Sequence, residues 1–218
     1  MHSGQPVIHH SIEIWSDIAC PFCYIGKRRL KQALDASGMG DSVQLKWRSF
    51  LLNPGLKTDP ELRLSDHLAA EKGWDADRIS AIFGQLTESG AASGIAFRFD
   101  QVVVANTRRA HLLWQGSVAY GASDALMEGL FNAYFCEGRN IDDLDVLNDL
   151  AKGAGLTEDQ VHEALHAGTS ATQMESDIRE ASHLGVQGVP FFVFNRKFAV
   201  SGAQPVEVFR QALSEAAC

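Results

Sequence analysis

The chain has 218 residues, of which 45% are hydrophobic and 21% charged, and its formal net charge is −8. That length supports one elaborated domain or two small ones, and the acidic balance, with no block of Lys and Arg, argues against nucleic acid as a main partner. No apolar run approaches a bilayer span, and four cysteines, Cys20, Cys23, Cys136 and Cys218, are too few for a disulfide-stapled scaffold.

Residues 1–10 have neither a basic n-region nor an apolar h-region. They read as a mobile tail, not a secretory signal, and a cytoplasmic location is expected, with a mature secreted form whose signal has been removed as the alternative. Residues 11–17 alternate apolar and polar, with Ile12 and Ile14 as the bulky members, which predicts a strand. Cys20-Pro21-Phe22-Cys23 follows. Residues 24–35 then carry Leu30 and Leu34 at helical spacing, and Gly38 and Gly40 stop that helix. Residues 42–50 alternate again, with Val43, Leu45, Trp47 and Ser49 on one side. The β-α-β order suggests a parallel crossover.

From about residue 59 to 184 the patterns are almost only helical: 62–72, 76–92, 107–120, 124–136, 142–154, 158–167 and 170–184, separated by glycines. Asp75, Asn106, Ser123 and Thr157 are candidate N-caps. Residues 95–100 could form a short extended piece. Strand character returns over 189–194, a turn at Asn195-Arg196 leads to a partner over 197–201, and a last helix covers 206–215. Without the helical block the order is β-α-β-α-β-β-α. That predicts an α/β, thioredoxin-like fold, a mixed sheet flanked by helices with a large all-α insertion. The expected domains are 11–58 with 170–218, and 59–169.

The spacing of Cys20 and Cys23 carries the chemistry. A thiol at a helix N-terminus meets backbone N–H groups without intrahelical partners and the positive end of the helix dipole, and both favour a thiolate. Cys20, nearer the helix start and expected to be the more exposed, takes the role of nucleophile. Cys23, one turn inside, resolves the mixed disulfide. Pro21 suits the first helical turn, and Phe22 is a bulky apolar neighbour that adds no charge. A zinc half-site would need two more ligands at suitable spacing, and no second Cys-x-x-Cys exists, so no metal is expected. Val189-Pro190 stands at the start of a strand after a helix. Opposite the cysteine pair in this fold, it is expected to be a cis peptide holding an extended substrate backbone.

Elsewhere the expectations are plainer. His162 and His166 read as a solvated helix face, and His111 as a packing or surface residue. Asp142 to Asp145 read as an acidic first turn, Phe97, Phe99 and Trp114 as core, and Cys136 as a buried, inert thiol. Tyr24, next to Cys23, could touch core or substrate.

Four stretches carry a resemblance over about residues 11–213: Ser16-Asp-Ile-Ala-Cys20-Pro-Phe-Cys23-Tyr-Ile-Gly26, Asn106-Thr-Arg-Arg-Ala-His111, residues 128–138, and Gly185-Val-Gln-Gly-Val-Pro190-Phe-Phe. The chain resembles the DsbA-like thioredoxin superfamily, most closely its FrnE-like branch. The resemblance implies a thioredoxin fold with an inserted helical domain, Cys20 and Cys23 as redox pair, and Pro190 as cis-proline. The substrate-binding residues are then Pro21, Phe22, Val189 and Pro190. The expected activity is thiol–disulfide exchange on protein or small-molecule disulfides, with no bound cofactor and with glutathione as a candidate thiol partner. Hydroxychromene-carboxylate isomerases and kappa-class glutathione transferases share the superfamily, but there a serine replaces the reactive cysteine. A glutathione-dependent isomerase or transferase is therefore the alternative reading, together with a redox-sensing chaperone. A FrnE-like second cysteine motif is missing near the C-terminus, where only Cys218 stands.

Overall fold

The computed structural model of the chain describes residues 10–216. The expected tail up to residue 9, and Cys218, lie outside the described residues. In chain order the elements are β1 (His10–Ser16), α1 (Pro21–Ser37), β2 (Val43–Ser49), β3 (Asp59–Arg63), α2 (Leu64–Lys72), α3 (Ala76–Ala91), β4 (Val103–Val104) and α4 (Arg108–Ser117). Then come α5 (Ser123–Phe135), α6 (Leu144–Gly153), α7 (Glu158–His166), α8 (Thr169–His183), β5 (Phe191–Phe194), β6 (Phe198–Ser201) and α9 (Val206–Ala216). Short 3-10 turns, Gly40–Ser42 and Val118–Tyr120, precede β2 and follow α4.

The main sheet has the order β2-β1-β5-β6, with β1 and β2 parallel and the other pairs antiparallel. It is the mixed sheet expected. β1 is central, and both its faces are covered. Ile12 and Ile14 pack with Leu30, Leu34, Phe192, Phe194, Phe209 and Leu213, the apolar stripes of α1, β5 and α9. Fully burying one such side chain contributes about 1.5–3 kcal/mol. Trp15 points the other way, against Ala181 and Val186, and its indole N–H donates to the Asp177 carbonyl of α8 at 2.9 Å. The carboxylate of the strand, Glu13, is therefore buried too, and it is bound by both Arg48 and Arg196.

A third apolar cluster fills the space between α1 and the helices after β2. It joins Cys20, Cys23, Tyr24 and Ile25 to Phe97, Phe99, Leu113, Trp114, Leu130, Phe131 and Phe135. No polar gap separates the cysteine helix from the helical segment. Tyr24 stacks on Phe131 of α5 with ring centroids 5.0 Å apart.

The structure corrects the sequence reading in several places. The stretch after residue 59 is not purely helical: β3 and β4 form a two-stranded antiparallel ribbon with an irregular register. Asp59-Pro-Glu-Leu-Arg63 lacks β-branched residues, so its strand character is set by pairing, not by propensity. Residues 95–100 form no strand. Asp75 and Thr157 do cap α3 and α7, the latter in a capping box with Gln160. Ser123, however, is the first residue of α5, not its cap, and α6 starts at Leu144 with Asp143 as its cap, so of the acidic stretch 142–145 only Asp145 lies in the first turn.

Candidate active site

The site is assembled at the junction of β1 and α1. Cys20 is the residue before the helix, with extended backbone (φ −97°, ψ 111°) and Pro21 at the first helical position. A proline there loses no hydrogen bond, because the first-turn N–H groups have no intrahelical acceptor. The Cys20 N–H donates to the Asp17 carbonyl at 3.1 Å, and the Cys20 carbonyl accepts from Cys23 N–H at 3.0 Å. The chain therefore leaves the strand, turns once and enters the helix with both sulfurs on one side of that turn.

Both thiols are free. Cys20 is 5% exposed and Cys23 is wholly buried. The difference has the expected sign, but Cys20 is far less open than a surface nucleophile. Its Sγ donates to the Val189 carbonyl at 3.4 Å. The Val189–Pro190 peptide is cis, as expected, and Pro190 is buried. Gly26, one turn past Cys23, eases the close packing of α1 on this segment: a Cβ there would come within 3.1 Å of both Pro190 and Phe192. Phe22, inside the motif, is 49% exposed, and Leu52, whose N–H is held by Asp17, is 50% exposed. The two halves of the predicted site, Cys20 to Cys23 and Val189 with Pro190, thus meet across one sulfur.

Burial pushes the Cys23 thiol well up, and the neighbouring Cys20 adds to the effect. The Ser16 hydroxyl and the Asp17 backbone N–H act in the opposite direction. Ser16 Oγ is buried and has no hydrogen-bond partner among the described residues, so it is free to donate to a Cys23 thiolate.

Beneath the motif lies a buried polar chain. Asp17 Oδ2 accepts from Leu52 N–H at 2.7 Å, and Asp17 Oδ1 accepts from Ala19 N–H at 3.2 Å and lies 3.3 Å from His111 Nε2. The other ring nitrogen of His111 is 3.1 Å from Ser49 Oγ. Gln115 Nε2 donates to Ser49 Oγ at 2.9 Å and to Asp177 Oδ2 at 2.8 Å. Asp177 also accepts from Ser49 N–H, Arg48 and Gln173. Burial raises the Asp17 carboxyl, but the contacts of His111, Leu52 and Ala19 outweigh it and hold it below its ordinary value of 3.8. Glu13 is held below its ordinary 4.5 in the same way: burial raises it, and Arg196 and Arg48 outweigh that.

His111, expected to be a packing or surface residue, is fully buried and polar on both ring nitrogens. The sequence reading passes over Asp177 and takes Ser49 only as a member of one strand face. A usable signal existed: Ser49 interrupts the apolar face Val43, Leu45, Trp47, and His111 and Gln115 stand four apart on one helix face.

The remaining expectations fall outside the site. His162 and His166 are exposed neighbours on α7, with rings 4.6 Å apart. Among the described residues no group of three or more His, Cys, Asp or Glu could hold a metal ion, and no helix is long and apolar enough to cross a membrane. Cys136 is only partly buried, contrary to expectation, with burial raising its thiol. Phe97, Phe99 and Trp114 are core. Tyr24 is core as well, and its hydroxyl donates to Glu128 at 2.6 Å.

Known proteins bear on this arrangement. The structure is similar to that of a probable DsbA oxidoreductase from Streptomyces coelicolor, with a TM-score of 0.88 and 38% identity over 95% of this chain and 90% of that one. In sequence the chain is 26% identical over 208 residues to an uncharacterized protein of Bacillus subtilis, YwbO, covering 94% of this chain and 96% of that one. A cytosolic disulfide reductase, DsbM, from Pseudomonas aeruginosa shares the fold at 18% identity, with a TM-score of 0.68 over 94% of this chain and 97% of its own. The family model for the DSBA-like thioredoxin domain matches residues 11–214, and the chain therefore belongs to the DsbA-like thioredoxin family.

Proposed function

We propose that this protein is a cytoplasmic thiol–disulfide oxidoreductase in which Cys20 attacks and Cys23 resolves. The reading is carried by one observation: Cys20 Sγ sits at the start of α1 within hydrogen-bond reach of the Val189 carbonyl, with Cys23 one turn below. A carbonyl at that position accepts a backbone N–H of an extended substrate, and the exposed Phe22 inside the motif offers apolar contact.

In the reductive direction the Cys20 thiolate attacks one sulfur of a substrate disulfide. A Cys20–substrate bond forms, and the other substrate sulfur leaves as a thiolate that takes up a proton. Cys23, once deprotonated, attacks Cys20 Sγ. The mixed disulfide breaks, the second substrate thiolate leaves, and the Cys20–Cys23 disulfide carries away the two electrons' worth of oxidation. An external thiol, with glutathione as candidate, returns the pair to its dithiol form. Pro21 and Phe22 on one side, and Val189 and Pro190 on the other, are the proposed substrate contacts. The cytosolic disulfide reductase that shares the fold is consistent with this direction and location.

Insulin reduction by dithiothreitol, followed as turbidity, tests the reading. Cys20→Ser is expected to abolish the catalysed rate. Full activity in that variant would remove Cys20 from the mechanism.

A further inference from the structure

We propose that the Ser16 hydroxyl, together with the Asp17 backbone N–H, forms a thiolate-stabilising site for Cys23, a catalytic device that serves the resolving step and not the first attack. The proposal rests on the oxidoreductase reading and adds to it the groups that make the buried thiol reactive.

The strand and the helix bring the two residues together. β1 alternates, so Ser16 shares a face with Ile12 and Ile14, and α1 covers that face with Leu30 and Leu34. Cys23, about two turns before Leu30, lies on the same side of the helix. The end of the strand's apolar stripe thus meets the start of the helix's stripe, and a serine stands where the pattern calls for another large apolar residue.

Ser16 is 2% exposed, and its Oγ has no hydrogen-bond partner among the described residues. Buried polar groups are nearly always paired, because an unmade hydrogen bond forfeits the solvation the group had in water. In the dithiol form the hydroxyl lies within reach of the Cys23 sulfur, but a neutral thiol is a weak acceptor. A thiolate is a strong one. The hydroxyl is therefore idle in the resting state and gains its partner only when Cys23 ionises. An interaction made only in the reacting state speeds a step, whereas one already made at rest does not.

The second donor is held in place. Asp17 Oδ1 accepts from Ala19 N–H and Oδ2 from Leu52 N–H, while the Asp17 carbonyl accepts from Cys20 N–H. That fixes the turn on which the Asp17 N–H faces Cys23. Burial, the largest influence, and the neighbouring Cys20 both oppose the two donors. In the mixed disulfide Cys20 carries no charge, so burial alone opposes them when Cys23 must lose its proton. Cys23 then releases that proton to solvent and attacks Cys20 Sγ. The Cys20–Cys23 bond forms, the Cys20–substrate bond breaks, and the substrate sulfur leaves as a thiolate.

Stopped-flow reaction of the full chain with dithiobis-nitrobenzoate, an aromatic disulfide whose thiolate product absorbs visible light, separates the two steps. Cys136→Ser and Cys218→Ser form the background, so that only the motif reports. The first phase, proportional to reagent concentration, is the attack by Cys20. The second, independent of it, is resolution by Cys23. Ser16→Ala should leave the first phase unchanged and slow the second about three- to tenfold, because the more basic thiolate is scarcer but more nucleophilic. The variant removes a buried group that has no partner, so its urea midpoint in the dithiol form should not fall. An unchanged second phase, an equal slowing of both phases, or a lowered midpoint would overturn the proposal. Failure of the underlying reading looks different: the first phase would persist in Cys20→Ser.

Discussion

Two seams join the helical segment to the sheet, and they are built from opposite materials. Between α1 and α5 the seam is an aromatic stack, Tyr24 on Phe131, edged by an ionic cluster in which Lys27 and Arg28 bind Glu128. The Glu128 and Arg28 side chains are about one-third exposed. Between β2, α4 and α8 the seam is a fully buried polar chain, Asp17–His111–Ser49–Gln115–Asp177, that starts three residues before Cys20. Water can replace a lost partner in the first seam and cannot in the second. The first should tolerate change, whereas the second fixes the cysteine loop and the helical segment as one unit.

The largest effect is expected at Asp177. Asp177→Ala strips acceptors from Ser49 N–H, Gln115, Gln173 and Arg48 at once. Breaking a buried, hydrogen-bonded ion pair from one side costs about 3–5 kcal/mol. Urea unfolding of the variant should show that loss in the midpoint with the slope unchanged. A loss no larger than that of an exposed pair would mean that solvent reaches the seam.

Acid should act on the same seam and on Glu13, which Arg48 ties to Asp177. Asp17 and Glu13 have folded-state pKa values below their ordinary 3.8 and 4.5. Each gives up its proton more readily when folded, so its contribution is complete above the ordinary value and is lost as pH falls through the folded one. Stability should therefore fall steeply below about pH 4. Asp17→Asn, which keeps an acceptor but does not titrate in this range, should flatten that fall. An unchanged acid profile would show that the carboxylate's contacts contribute nothing to folding.

The smallest effect is expected at the first seam. Glu128→Gln should cost no more than about 1 kcal/mol in the same urea experiment, as partly exposed ion pairs do. A cost matching that of Asp177→Ala would erase the distinction between the seams.

The sequence made the strands of the main sheet legible, with the parallel β1–β2 crossover and the β5–β6 hairpin, because their alternation is bounded by turn residues and α1 carries Leu30 and Leu34 on one face. It made the thiol half of the site legible because two cysteines at a helix start have few other uses. The β3–β4 ribbon stayed hidden because its pairing is tertiary. The second seam stayed hidden for a related reason: its members are scattered from residue 17 to 177, and each alone is an ordinary polar residue. Only the fold puts Ser49 under His111 and Gln115, where a hydroxyl in an apolar strand face becomes a required hydrogen-bonding group.

The central claim is that Cys20 meets the substrate and Cys23 resolves from below. Trapping tests it most directly: Cys23→Ser protein is incubated with a disulfide substrate such as insulin, quenched with acid and analysed by intact mass and peptide mapping. The account predicts a persistent mixed disulfide located on Cys20, and none in Cys20→Ser. A mixed disulfide formed through Cys23 in the Cys20→Ser protein, or none in Cys23→Ser under conditions where the wild type turns over, would contradict it.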